Sequence, residues 1–138
     1  MKNIVLISCV SKKRAVKSKA PDLYISTLFK LSLQYARKLK PDAIFILSAK
    51  YGLVSLNEEI EPYNVTLNMM SAKERKEWAD KVIEQLIMCA DLQEDHFTIL
   101  AGERYRQYLL PHLHHRDIPL EGLSIGKQLQ LLKKLLLE

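Results

Sequence analysis

Asn3-Ile4-Val5-Leu6-Ile7-Ser8, running on into Cys9-Val10-Ser11-Lys12-Lys13, decides the fold class of this chain. Four successive apolar residues rich in Ile and Val fit a strand buried on both faces. A strand with one wet face would alternate instead. Two further runs read the same way, Ala43 to Leu47 and His96 to Ala101, and His115 to Leu120 reads as a fourth, edge-like strand. Between them the spacing turns helical. Leu28, Leu31, Tyr35 and Leu39, with Phe29, Leu33 and Ala36, predict a helix from Ser26 to Lys40. Ser26 is its expected N-cap and Pro41 its stop. A second helix is expected from Ser71, with Glu74 completing a capping box and Trp78, Ala79, Val82, Ile83, Leu86 and Ile87 as its apolar face. Glu103 to Leu110 predicts a short helix ended by Pro111, and Ser124 to Leu137 a final Leu-rich one.

Doubly buried strands separated by helices imply a parallel sheet covered on both sides. With right-handed crossovers the expected architecture is a three-layer α/β/α sandwich with a short, mainly parallel sheet of about four strands. The 138 residues suit a single domain, 1–138, and show no repeat, low-complexity tract or linker.

Hydrophobic residues make up 48% and charged ones 27%, which favours a folded globule over disorder. Cys9 and Cys89 do not form a disulfide framework, so a reduced, cytoplasmic protein is expected. Lys12, Lys13 and Arg14 stand where small cleavage-site residues would belong, so no secretory signal is expected. No apolar run approaches membrane-spanning length. Residues 1–50 hold eleven basic against two acidic residues, and residues 51–100 hold four against ten. That asymmetry favours an anionic partner for the N-terminal part, a small molecule or nucleic acid, although Lys-rich solvated helix faces give the same composition.

Ligands of parallel α/β sheets bind where the strands end. The three expected exits are Ser8-Cys9 with Lys12, Ser48-Ala49-Lys50-Tyr51-Gly52, and Ala101-Gly102-Glu103-Arg104. Each starts with small residues, which let a ligand approach backbone N–H groups, and soon reaches positive charge. Ser48 to Met70 reads as a long segment too polar and turn-rich for a core element. Segments of that length are usually functional or disordered, and its apolar anchors favour order. Within it Glu61, stiffened by Pro62 and Tyr63, is the candidate general base; a solvated acidic loop is the plainer alternative. Gly122 and Gly126 bracket the start of the last helix, where Lys127 stands beside a possible anion site; simple turn chemistry accounts for the same glycines. This segment lacks the spacing of a Walker or dinucleotide motif, and no cofactor is expected. Cys9 as a nucleophile with His112, His114 or His115 as base, and those histidines as zinc ligands, lack the supporting patterns, so no metal site is expected. Tyr105 and Tyr108 beside Arg104 and Arg106 suit either base stacking or ordinary packing.

Leu6-Ile7-Ser8-Cys9 with Lys12-Lys13, Asp22-Leu23-Tyr24, Leu47-Ser48-Ala49-Lys50-Tyr51-Gly52-Leu53-Val54, Ile60-Glu61-Pro62-Tyr63-Asn64 and Gly122-Leu123-Ser124-Ile125-Gly126-Lys127-Gln128 together resemble a family of small bacterial, archaeal and phage proteins known as a domain of unknown function. The resemblance implies the fold and marks the site without giving a reaction. A remoter likeness is to the uracil-DNA glycosylase-like fold and the peroxide-stress proteins, through Glu61-Pro62-Tyr63. It implies that Glu61 orients water and Tyr63 contacts a base. The glycosylase motif follows the first strand and begins with Asp, whereas this string follows the second and begins with Glu.

The expectation is an enzyme acting on a nucleotide, nucleobase or nucleic acid, hydrolase or N-glycosidase-like. Glu61 and Tyr63 would be catalytic, and Ser8, Cys9, Lys12, Ser48, Lys50, Tyr51, Gly102, Arg104, Gly126 and Lys127 would bind the ligand. The alternatives are a non-catalytic nucleotide or nucleic-acid binding module, and an assembly protein that forms homodimers through its C-terminal helix.

Overall fold

Side chains alternate across a strand, and β1 (Asn3–Ser8) uses both of its faces. Ile4 and Leu6 enter one apolar cluster, and Val5 and Ile7 enter another on the opposite side. The computed structural model describes residues 1–8, 13 and 16–138. Along the chain β1 is followed by β2 (Ser18–Lys19), α1 (Ala20–Leu23), α2 (Thr27–Lys38), β3 (Ala43–Ser48), β4 (Gly52–Ser55), β5 (Glu59–Ile60), α3 (Ala72–Ile87), β6 (His96–Leu100), α4 (Glu103–Arg106), β7 (His115–Asp117) and α5 (Ile125–Leu137). The main sheet runs β4-β3-β1-β6-β7. β1 pairs in parallel with β3 (Ile4 opposite Ala43) and with β6 (Ile4 opposite Phe97), and β7 pairs in parallel with β6.

The α/β/α layering follows from that order. The chain crosses from β1 to β3 in one direction and then returns past β1 to β6 in the other. Crossovers of one hand running in opposite directions must lie on opposite faces. Phe29, Leu33 and Ala36 of α2 accordingly pack with Val5, Ile7 and Leu132 of α5. Trp78, Val82 and Leu86 of α3 pack on the other face with Ile4, Leu6 and Tyr105.

The expected caps are present. Ser26 Oγ accepts the Phe29 N–H, and Ser71 with Glu74 forms the full capping box. Lys40 takes a left-handed conformation (φ 51°) just past α2, and Pro41 follows.

Three features differ from the sequence expectation. The sheet has a fifth strand, β4, antiparallel to β3 and drawn from the segment read as too polar for the core; Val54 within it is fully buried. The stretch before the Ser26 cap, where no element was expected, contains β2 and α1, with Pro21 in the helix's first turn, where its missing N–H costs nothing. β2 pairs with β5 in a two-stranded sheet, and the Ala20 N–H donates to Glu58 O at 2.7 Å. This fastens the basic region to the acidic one. β7 covers three exposed residues, shorter than the expected run to Leu120; a short, charged edge strand resists pairing with another sheet.

α5 lies on α2, with Leu132 fully buried and Ile125 and Leu137 exposed near its ends. Lys38 Nζ of α2 donates to Leu135 O and Glu138 O, closing the last turn of α5. No helix of the described residues is long and apolar enough to cross a membrane.

Asp95 joins the start of β1 to the turn before β6. Its Oδ2 accepts the Asp91 N–H and its Oδ1 the Lys2 N–H, each at 2.8 Å. These bonds, Asp91's foremost, hold its carboxyl below the usual carboxylate range. A lowered folded pKa gives stability that is present above the unfolded pKa and lost as pH falls through the folded one. Asp95→Asn is therefore expected to be less stable than the parent at pH 7, with the gap closing below roughly pH 4, the ordinary Asp range. Urea titrations across that range check this; a gap that does not change with pH would contradict it.

Candidate functional site

The order reversal in the sheet lies between β1 and β6, since the chain leaves β1 to one side and comes back on the other. In open α/β sheets that reversal opens a crevice at the carboxyl ends of the strands. A cavity of about 630 Å³ lies there. Ser8 ends β1, Leu100 ends β6 and Ala101 and Gly102 follow it, and all four line the cavity. One wall is α2, through Leu28, Phe29 and Ser32. The facing wall is Leu120 to Leu123 and the first turns of α5, including Ile125, Gln128 and Leu129. Volume and apolar walls with a few polar groups suit a small-molecule site.

The polar groups have defined roles. Ser8 Oγ accepts the Gly102 N–H at 3.4 Å, which leaves the serine proton free to donate. Arg106 Nη1 donates to Ala101 O at 2.8 Å, and its Nη2 lies 4.0 Å from Glu121 Oε2. It thereby ties the β6 exit to the opposite wall. Arg104 is exposed at the same exit and lines the cavity. Gly102 has open space where a Cβ would stand, so its use is not steric.

The sequence-predicted residues divide into two groups. Ser8, Gly102 and Arg104 share the cavity. Gly126 and Lys127 lie in the first turn of α5, exposed, beside Ile125 and Gln128 of the wall; Ser124 Oγ caps that helix by accepting the Lys127 N–H. Ser48, Lys50, Tyr51, Glu61 and Tyr63 do not line the cavity. They belong to a tyrosine and lysine cluster further along the same edge. Cys9 and Lys12 lie outside the described residues.

In that cluster the Tyr24 and Tyr63 hydroxyls are 2.6 Å apart, and Tyr51 stands edge-on to Tyr63 at 5.8 Å. Lys13 Nζ lies 4.5 Å from the Tyr63 ring centre, and Lys50 Nζ 5.2 Å from that of Tyr51, both within cation–π range. Tyr51 donates its hydroxyl to the Glu61 backbone carbonyl at 3.5 Å, while the Glu61 residue is exposed. Ser48 is fully buried, and its Oγ accepts the Tyr51 N–H at 3.0 Å inside the β3–β4 turn. Its carbonyl accepts the Trp78 Nε1–H at 2.9 Å. A ring contact joins the groups: Tyr24 packs on the cavity-wall residue Phe29 at 5.1 Å.

Sequence reading missed Ser32, Thr27 and Asn68, all of which line the cavity. Ser32 had a visible signal, a hydroxyl on the apolar face of a predicted helix, between Leu28 and Tyr35. It is 3% exposed and makes no hydrogen bond with any described residue. An unpaired hydroxyl in such a place costs about 1–3 kcal/mol unless something else satisfies it. A second cavity, about 250 Å³, lies at the opposite end of the strands beside Tyr35, His96 and Asp117. Burial there, helped by Asp117 and Glu138, raises the Tyr35 phenol.

A family model described as a family of unknown function (DUF6884) matches residues 4–134. The chain belongs to that family. No curated protein and no solved structure matches it. The DUF6884 match contains both side-chain groups, from Ser8 to Lys127.

Gly52 sets the position of Lys50 and Tyr51. Its φ is +76°, and a Cβ there would stand 2.4 Å from Gln85 Oε1. That oxygen accepts the Leu53 N–H at 2.8 Å. Gly52→Ala is expected to lower stability by roughly 2 kcal/mol, the order of a left-handed non-glycine strain. Urea denaturation measures it, and a loss under about 0.5 kcal/mol, as at an ordinary surface site, would contradict the assignment.

Proposed function

We propose that this chain binds a nucleotide or another nucleobase-bearing molecule in the β1/β6 cavity and acts on its glycosidic or phosphate-bearing group. The observation that carries this reading is the coincidence of three things at one point. The order reversal of the sheet, an apolar-walled cavity and the Ser8, Gly102 and Arg104 polar edge meet there. An apolar cleft takes a base, and the Ser8 hydroxyl with the Arg104 guanidinium takes an anion. A volume near 630 Å³ suits a mononucleotide, free or turned out of a strand, rather than a duplex groove.

Catalysis in this reading falls to the neighbouring cluster. Glu61 is the general base, acting on water, and Tyr63 contacts the part of the ligand that reaches past Phe29 and Tyr24. The glycosylase likeness contributes only the Glu61-Pro62-Tyr63 string.

Arg104→Ala is expected to weaken binding of ribonucleoside 5′-monophosphates about tenfold, the loss of one charge-assisted hydrogen bond. Glu61→Gln is expected to keep that affinity and abolish hydrolysis of the nucleotide that binds. Calorimetry and product analysis read the two. Unchanged affinity in the Arg104 variant would sink the binding assignment. Binding without turnover in the unaltered chain would leave a non-catalytic nucleotide module.

A further inference from the structure

Ser32 stands apart from the other polar residues of the cavity. It lies in α2, six residues past the cap Ser26, and so about 9 Å along the helix from the carboxyl edge of the sheet. Leu28 and Phe29 stand one helical turn before it, and Leu100, Leu120 and Leu129 line the same cavity. It is 97% buried, it lines the cavity, and it makes no hydrogen bond with any described residue. A buried hydroxyl with no partner among the described residues, on a residue that lines the cavity, has the cavity's contents from which to draw one.

We propose that the inner end of this cavity is a base-recognition subsite, in which Ser32 hydrogen-bonds the edge of a planar heterocycle. The inference rests on the nucleotide reading of the same cavity and adds which ligand group goes where. An aliphatic chain would match the leucines but leave Ser32 unpaired. A sugar or phosphate would pair with Ser32 but bury its other polar atoms against leucine side chains, which is costly. A flat heterocycle has apolar faces and a polar edge, and satisfies both. It also places its phosphate about 9 Å away, towards Ser8 and Arg104 at the carboxyl edge. A serine hydroxyl both donates and accepts, so Ser32 selects for a polar edge rather than for one particular base.

The test is calorimetric binding of the four ribonucleoside 5′-monophosphates and of ribose 5-phosphate, which lacks the base, to the full chain. At least one nucleotide is expected to bind at least tenfold more tightly than ribose 5-phosphate. Ser32→Ala is expected to weaken that nucleotide about tenfold and leave ribose 5-phosphate unchanged. Alanine favours the helix, so the variant is expected to fold, and circular dichroism checks it. Should it fail to fold, the comparison of ligands on the unaltered chain still decides. Equal binding of ribose 5-phosphate and every nucleotide, or a Ser32→Ala chain with unchanged nucleotide affinity, overturns the base subsite alone. No nucleotide binding to the unaltered chain overturns the cavity reading and this inference with it.

Discussion

β1 is held by parallel ladders on both edges and by apolar clusters on both faces, and the rest of the structure follows from that position. A strand surrounded on four sides has no room for a polar side chain between Ile4 and Ile7, and the chain supplies none. Parallel neighbours cannot be joined by tight turns, so α2 and α3 must cross over the faces. Because β3 lies on one side of β1 and β6 on the other, the two crossovers separate at the carboxyl edge. The cavity lies at that reversal, between α2 and the later helix α5 packed on the same face. Fold and candidate site are thus one consequence of where the first strand sits.

The parts legible in the sequence are those governed by local chemistry. Ser26, Ser71 and Glu74 cap helices through bonds to residues three positions away, so pattern alone places them. The uninterrupted apolar runs of β1, β3 and β6 need no knowledge of partners. The missed elements depend on distant residues. β4 looks polar because only alternate residues, Gly52 and Val54, are buried, and its turn is held from outside by Gln85 of α3. β2 and β5 are two residues each and exist only as a pair. Ser32 is the instructive omission, since a lone serine on a helix's buried stripe reads as tolerated until the neighbouring wall, α5, is known to leave space beside it.

The strand exits are similar in composition but do not share one environment. Ser8 and Gly102 face each other across adjacent strands and open on the cavity. Ser48 lies one strand further out and is consumed by its own turn and by Trp78. A small residue at a strand end is available to a ligand only beside the order reversal; elsewhere the following hairpin fills the space. The Tyr24, Tyr51 and Tyr63 cluster with Lys13 and Lys50 is the other product of this edge, assembled where β2 and β5 draw the basic and acidic segments together.

The central claim is that the ligand enters between α2 and α5 at the β1/β6 reversal. Amide chemical-shift mapping during titration with a ribonucleoside 5′-monophosphate tests it most directly. The account predicts the largest shifts at Gly102, along Ser26 to Ser32 and along Gly122 to Gln128, with little change at His96 or Asp117. Shifts confined to the His96 and Asp117 end of the sheet, or absent throughout, would contradict it.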